Sequence, residues 1–134
     1  MLVGATGPKT LALSGELAQG TVLSGGTTPD GVRRAIAHIG ASDHEVVVYV
    51  ICAFGSGGRE RALAEAAASG SESPEDAIAV GNAAQVAAAA RRWVAAGATF
   101  DAQRQNIIND KAHTASRVFI ISQKRHYITV NLII

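Results

Sequence analysis

The chain has 134 residues, of which 48% are hydrophobic, 17% charged and 4% aromatic, and its formal net charge is +1. This length allows one modest domain with a core made mainly of Ala, Val, Ile and Leu. The near-neutral charge argues against nucleic acid or an anionic membrane as a partner. A single cysteine, no signal peptide and no apolar run of membrane-spanning length predict a cytoplasmic protein.

A strand and a helix are predicted in the first twenty residues. MLVGA is typical of a short strand, and Pro8 suits the first helical position, where its missing N–H costs nothing. Leu13 and Leu17 are spaced to share the apolar face of this helix. Gly20 is a suitable end for it.

The next segments repeat this order. TVLSGG predicts a second strand, and Thr28 followed by Pro29 predicts a capped helix start. EVVVYVICAF predicts a third strand that is buried on both faces. The apolar stripe expected on the second helix is Val32, Ile36 and Ile39.

Three helical segments and a strand complete the pattern. GSGGRERALAEAAASG predicts a glycine turn and a helix with Leu63 and Ala67 inward, and SPED predicts another helix start. Asn82 and Gln85 predict a capping box for a last helix. With ATFDAQ as a further strand, the alternation predicts an α/β fold with a parallel sheet. The residues expected to point inward from the last helix are Val86, Ala90, Trp93 and Val94.

The composition changes after about residue 103. Residues 1–103 contain 24 alanines and four isoleucines, whereas residues 104–134 contain two alanines and seven isoleucines. We therefore divide the chain into residues 1–103 and a divergent, β-rich tail, residues 104–134, in which Gln123-Lys124-Arg125 could turn a hairpin. The tail is either a segment of different origin, such as an altered reading frame, or a natural edge hairpin that covers or extends the sheet.

GATGPKT, residues 4–10, joins the first predicted strand to the first helix. It is not a nucleotide P-loop, because only two residues separate Gly4 from Gly7 and Pro8 stands where the lysine should follow. Such a junction can still bind a phosphate through backbone N–H groups and the helix dipole, and Lys9 would add charge. The alternative, which these residues alone favour, is a simple turn into the helix.

The first forty residues also resemble a known family. GATGPKTLALSGELAQGTVLSGGTTPDGVRRAIAHI is similar to the bacterial-luciferase-like monooxygenases, flavin- and deazaflavin-dependent oxidoreductases with Gly-Pro-Lys and Leu-Ala-Gly-Glu-x-Ala-Asp-Gly between two strands. EVVVYVICAF and VGNAAQVAAAARRWVAAGAT resemble later segments of that family, so the likeness covers roughly residues 2–100. It implies a parallel (βα) half-barrel related to the TIM (β/α)8 barrel.

The resemblance further implies a cofactor site. In this family the loop after the matching strand holds the phosphate of FMN or of coenzyme F420, a deazaflavin. Thr6 and Gly7 are the implied backbone contacts, and Ser24 lies at the end of the next strand, at the rim where barrel sites assemble. The residues implied as cofactor-binding are Ala5, Thr6, Gly7, Pro8, Lys9, Ser24 and Gly25.

The sequence departs from the family in several places. Gln19 replaces the usual aspartate, Ser14 replaces an alanine, and nothing matches the amino-terminal half of the barrel, which supplies the isoalloxazine pocket and most catalytic side chains. A half-barrel has open sheet edges and an open apolar face. We therefore expect a homodimer or higher oligomer, in which two copies complete a barrel or cover each other's open faces.

The remaining candidate residues point to structural roles. GSGGRE, residues 55–60, is a second glycine turn in which Arg59 makes anion binding conceivable, but a flexible connection is favoured. Cys52 is expected to be a small core residue rather than a nucleophile. No metal site is predicted, because the four histidines have no metal-ligand spacing: His38, His44, His113 and His126.

Three functions remain open from the sequence. The favoured one is a truncated luciferase-like protein that binds the phosphate of FMN or a deazaflavin, with weak or absent redox activity. The second is an active flavin- or deazaflavin-dependent oxidoreductase assembled as a homodimer. The third is a non-enzymatic, self-assembling scaffold.

Overall fold

The computed structural model describes residues 1–98 with their side chains and residues 117–121 by their backbone. Strands β1 to β4 run parallel, which confirms the predicted α/β fold with a parallel sheet. In chain order the elements are β1 Leu2–Gly4, α1 Pro8–Leu17, β2 Gly20–Leu23, α2 Pro29–Ile39, β3 Glu45–Ala53, α3 Gly58–Ala68, a 3₁₀ turn Pro74–Ala77, β4 Ile78–Val80, α4 Ala83–Ala95 and β5 Arg117–Ile121.

The sheet is built around β3, the longest strand. Residues 45–48 of β3 pair in parallel with β2, which in turn pairs with β1, and residues 51–53 pair in parallel with β4. β5 pairs antiparallel with residues 48–52, a stretch that overlaps both of those segments. Because a strand has only two edges, β2 and β4 lie end to end along one edge of β3 and β5 lies along the other.

The two faces of the sheet pack against different helices. On one face, alternate residues of β3 pack with α1, α2 and α4; these residues are Val46, Val48, Val50 and Cys52. On the other face, Ile51 and Ala53 pack with Ala62 and Ala66 of α3. From β1 to β3 the chain crosses the sheet in one direction. β4 lies back on the β2 side of β3, so the connection from β3 to β4 runs the other way. Because such connections are right-handed, α3 lies on the opposite face.

The half-barrel remains a prediction. In a TIM barrel the helices form one outer ring, whereas here α3 lies on the opposite face of the sheet from the other three helices. Residues 99–103 of the predicted strand ATFDAQ and the predicted turn at 123–125 lie outside the described residues. Within the β-rich tail, Arg117–Ile121 forms β5 and extends the sheet of its own chain.

Two helix starts are as the sequence predicts. The Thr28 Oγ1 accepts a hydrogen bond of 2.9 Å from the N–H of Gly31. Asn82 and Gln85 form the expected capping box, in which each side chain accepts from the other residue's N–H at 2.9 Å. These bonds satisfy amides that have no acceptor within the helix. The predicted inward residues are buried in α2 at Val32 and Ile39 and in α4 at Val86, Ala90 and Trp93, and Ile36 and Val94 pack against this core.

The prediction for the inward face of α1 was wrong. Leu13 and Leu17 are 52% and 69% exposed, and the buried residues of α1 are Leu11 and Ser14. The small side chains of Ser14 and Gly15 allow the helix to approach its neighbours closely: a Cβ on Gly15 would lie 2.1 Å from the carbonyl oxygen of Ile39 in α2. The close approach of α2 therefore selects this face over the one that carries two leucines.

Gly20 does not end α1, as the sequence had suggested. The helix ends at Leu17 with Ala18 as its C-cap, and Gly20 begins β2. A Cβ on Gly20 would lie 2.5 Å from the Leu2 Cδ2 and 2.7 Å from the Glu45 carbonyl oxygen. Glycine is needed here because three neighbouring strands start close together.

Two further predictions along the chain were wrong. Ala67 of α3 is exposed, and it is Ala62 and Ala66 that are fully buried, with Leu63 half-buried beside them. SPED forms a single 3₁₀ turn, Pro74–Ala77, instead of starting a helix. This turn leads directly into the three-residue strand β4, which the sequence pattern did not reveal.

Candidate functional site

The loops that follow β1 and β2 meet at one end of the sheet. They enclose a cavity of about 370 Å³, a size within the range of small-molecule sites. Thr6 and Pro8 from the first loop and Ser24 and Gly25 from the second line it. The carboxyl ends of parallel strands lie at the same edge of the sheet. Thr6 and Pro8 therefore lie near Ser24 and Gly25, although the two pairs are far apart in the sequence.

A second cavity, of about 340 Å³, lies beside the first. Ala5 and Val22 line it, together with Thr6 and Ser24, which border both cavities. Thr6 and Ser24 are exposed, whereas Ala5 is buried. The hydroxyl groups of Thr6 and Ser24 are thus available to a molecule that enters from either side.

Gly7 and Lys9 do not line either of these cavities. Gly7 is the N-cap of α1, with extended backbone angles (φ −86°, ψ 152°) and no capping side chain. Lys9 is an exposed residue of the first turn. The other five of the seven predicted residues surround the two cavities.

Two helix starts border the first cavity. Pro8 is the first residue of α1, and Thr28 and Gly31 belong to the start of α2. The partial positive charge at a helix N-terminus favours an anion nearby. In α1 the first intrahelical hydrogen bond is donated by Leu11 to the Gly7 carbonyl at 2.9 Å. The N–H groups of Lys9 and Thr10 therefore have no acceptor within the helix.

One face of α2 forms a wall of the first cavity. Arg34, Ala35 and His38 line it at helical spacing from Gly31. The Arg34 Nη2 lies 2.5 Å from the Glu72 Oε2, in an ion pair whose side chains are both mostly exposed. Such pairs contribute little to stability, so the guanidinium can exchange Glu72 for an anionic ligand at small cost.

The segment from Ser69 to Glu72 closes the opposite side of the cavity. Gly26, with φ +84°, lets the β2–α2 loop approach this segment, because a Cβ there would lie 3.1 Å from the Ser69 Cβ. The Ser71 Oγ is buried and has no hydrogen-bond partner among the described residues. A cavity-lining hydroxyl without a partner is a group that a polar ligand or water can satisfy.

The β2–α2 loop is held in place by α4. The fully buried Trp93 donates a hydrogen bond from Nε1 to the Thr27 carbonyl at 2.8 Å. Thr27 Oγ1 in turn donates to the Ser24 carbonyl at 2.8 Å. These bonds hold the loop that carries Ser24 and Gly25 beside the cavity.

A partly buried hydrogen-bond chain joins α1 to the residue before β3 and was not found from the sequence. The Ser14 Oγ lies 2.6 Å from the Thr21 Oγ1, which lies 2.8 Å from the His44 Nε2. Ser14 and Thr21 are buried. Ser14 therefore has a hydrogen-bond partner, and the half-buried His44 is the third member of this chain.

The other candidate residues have structural surroundings. Cys52 is fully buried, as predicted, and burial raises the pKa of its thiol. Arg59 forms an ion pair with Glu75, and Gly55 and Gly57 in its turn have positive φ angles. Within residues 1–98 no three His, Cys, Asp or Glu side chains are grouped to hold a metal ion.

Comparisons with known proteins give no relative. No protein-family model matches the chain, and no curated protein and no solved structure matches it significantly. Among the helices of the described residues, none has the length and apolar character needed to cross a membrane.

Proposed function

We propose that the chain binds the phosphate of a flavin-type cofactor, FMN or coenzyme F420, in the larger cavity, and that it has weak or absent redox activity. The observation that carries this proposal is that Thr6, Pro8, Ser24 and Gly25 line one cavity. These residues come from the two segments that the resemblance to luciferase-like monooxygenases implies as cofactor-binding.

The surroundings of the cavity suit an anion. The N-termini of α1 and α2 border it, and both helix dipoles favour negative charge at that end. The Thr6 and Ser24 hydroxyls can donate hydrogen bonds, and Arg34 can supply a charge-assisted one. Gly25 carries no side chain into the cavity that it lines.

The proposal is tested by titrating the protein with FMN and following the flavin fluorescence. Riboflavin, which lacks the phosphate, is the matched ligand, and we expect it to bind at least about tenfold more weakly, as the loss of charge-assisted hydrogen bonds implies. Inorganic phosphate should compete with FMN. Equal binding of FMN and riboflavin, or no binding of FMN, would refute phosphate recognition.

Two adjacent arginines provide a matched pair of variants. Arg34 lines the cavity, whereas Arg33 points elsewhere and pairs with Asp30; both are exposed residues of α2 in an ion pair. We expect Arg34→Gln to weaken FMN binding about tenfold and Arg33→Gln to leave it unchanged. Similar losses in both variants would mean that general charge, not the cavity, attracts the ligand.

Redox activity is measured separately on the same protein. The rate at which reduced FMN or reduced coenzyme F420 is oxidised should equal the rate in buffer alone. A higher rate that is lost together with FMN binding in Arg34→Gln would instead support the active oxidoreductase.

A further inference from the structure

The outer face of α1 is unpartnered within the described residues. Four of its residues, at spacing i, i+4, i+7 and i+8, share this face and are all exposed: Lys9, Leu13, Glu16 and Leu17. The opposite face, with Leu11 and Ser14, packs on the sheet. Leu13 and Leu17, which are 52% and 69% exposed, lie one turn apart and form an apolar seam on this face. The other side of the helix is already packed.

The charges on this face oppose the dipole of their own helix. Lys9 lies in the first turn, where positive charge is unfavourable, and Glu16 lies in the last turn, where negative charge is unfavourable. Neither residue forms an ion pair within the described part of the chain. This arrangement lowers the stability of α1, and an oppositely charged group beside each end would offset that loss.

A second α1 in antiparallel orientation supplies that compensation. With a two-fold axis near Leu13, the two Leu13 side chains meet, and Lys9 of each copy lies opposite the partner's Leu17 and Glu16. Each lysine then faces a carboxylate and the negative end of the other helix. The same face is thus complementary to itself in charge and in apolar character.

We propose that this face of α1 is a homodimer interface, in which two copies of the chain pack antiparallel through Leu13 and Leu17 with reciprocal Lys9–Glu16 contacts. The interface is independent of the cavity, since none of these four residues lines it. The occupant is a second copy because the antiparallel arrangement satisfies both charges and both leucines at once.

Charge reversal tests the pairing directly. K9E places two carboxylates opposite each other at each of these contacts, and E16K places two ammonium groups there. We expect each variant alone to raise the dimer dissociation constant about tenfold, measured by sedimentation equilibrium, because two repulsive contacts replace two attractive ones. An equimolar mixture of K9E and E16K should restore dimers, and these should be heterodimers.

A second pair of variants tests the apolar seam. Leu13→Ser should raise the dissociation constant at least about tenfold, since both copies lose a buried leucine. The controls are exposed residues of α3, Ala67→Ser for the apolar change and Glu65→Lys for the charge change, and neither should alter dimerisation. Circular dichroism melts show that each variant is folded.

Each possible result decides the proposal. Loss of dimers in the single variants and their return in the K9E and E16K mixture support it. A monomer at millimolar concentration overturns it, as does a dimer that Leu13→Ser and K9E leave unchanged. Mixing that fails to form heterodimers overturns the antiparallel pairing.

Discussion

α1 and α2 are two helices that begin alike and are stabilised differently. Both start with a proline after a parallel strand, and both pack on the same face of the sheet. α2 has a capping side chain, Thr28, and ends at Gly40 in the left-handed conformation (φ +68°). α1 has Gly7 as its N-cap and Ala18 as its C-cap, and no side chain caps its N-terminus.

This difference shows where each helix gets its stability. α2 carries local signals at both ends and buries the apolar stripe that its sequence predicts. α1 lacks those signals, so its position depends on contacts with neighbouring elements. Two of these are the close approach of Gly15 to Ile39 and the hydrogen bond between Ser14 and Thr21. α1 should therefore be sensitive to changes at its contacts, and α2 to changes at its caps.

The largest effect is expected at Gly15. Its replacement by alanine would stabilise an isolated helix by about 1 kcal/mol. In the protein the new Cβ would lie 2.1 Å from the Ile39 carbonyl oxygen, so α1 and α2 must separate. We expect Gly15→Ala to lower the free energy of unfolding by about 3 kcal/mol in urea denaturation.

Gly7→Ala is the control, since the nearest atom to its Cβ would be the Thr10 Oγ1 at 3.9 Å. Because alanine is a poorer N-cap than glycine, we expect a loss of no more than about 1 kcal/mol, well below the loss at Gly15. A Gly15→Ala protein that is more stable than the parent would show that helix propensity, not the contact with α2, determines α1.

The next largest effect is expected at Thr21. Thr21→Val keeps the shape of the side chain but leaves the buried Ser14 Oγ and the His44 Nε2 without this partner. We expect a loss of about 2 kcal/mol in the free energy of unfolding. The double variant S14A/T21V also removes the Ser14 hydroxyl that Thr21→Val leaves without this partner, so it should be more stable than Thr21→Val alone. If the double variant is the less stable of the two, the hydrogen-bond chain is not the cause.

A smaller effect is expected at the cap of α2. Thr28→Ala removes the acceptor for the Gly31 N–H and should lower the free energy of unfolding by about 1 kcal/mol. Thr28→Ser retains the hydroxyl and serves as the matched control. Thermal melts of Thr28→Ala and Thr28→Ser measure how much α2 depends on its side-chain cap. Equal stabilities of Thr28→Ala and Thr28→Ser would contradict a stabilising role of the Thr28 hydroxyl.

The parts of the fold that the sequence predicts correctly are those with local signals. The start of α2 is indicated by its cap, Thr28, and the start of α4 by Asn82 and Gln85. The strand β3 is indicated by the apolar run EVVVYVICAF. Caps and apolar runs are visible in the sequence because they involve only a few neighbouring residues. The inward face of α1 was not predictable in this way, since Leu11 competes with Leu13 and Leu17 for burial. The packing of α2 decides between them.

The candidate site was likewise predictable only where its residues belong to a local motif. Thr6, Pro8, Ser24 and Gly25 were implied by their place in a motif, and they line one cavity. Arg34 was present in the quoted stretch but carried no signal of its own. Its place in the cavity wall beside Glu72, 38 residues further on, arises only in the folded chain. β4, with three residues, was too short to be recognised.

The smallest effect is expected from giving α1 the cap that it lacks. Gly7 has the extended backbone of an N-cap, and a side chain there has free space. Gly7→Asp should accept hydrogen bonds from the first-turn amides and interact favourably with the helix dipole, and we expect a gain of about 0.5–1 kcal/mol in thermal or urea unfolding. If α1 also helps to bind the FMN phosphate, the same carboxylate should weaken FMN binding, because it occupies the amides and repels the anion.

Stability and binding should thus change in opposite directions in Gly7→Asp, which a general disruption of the fold cannot produce. Gly7→Asn is the control: it caps with a side chain of the same shape and no charge, so it should stabilise α1 and weaken FMN binding less than Gly7→Asp does. Unchanged stability in both variants would mean that the start of α1 gains nothing from a cap and differs from α2 in more than this residue. Unchanged FMN binding in a stabilised Gly7→Asp protein would place the phosphate away from α1 and leave the α2 side, with Arg34 and Ser24, as its site.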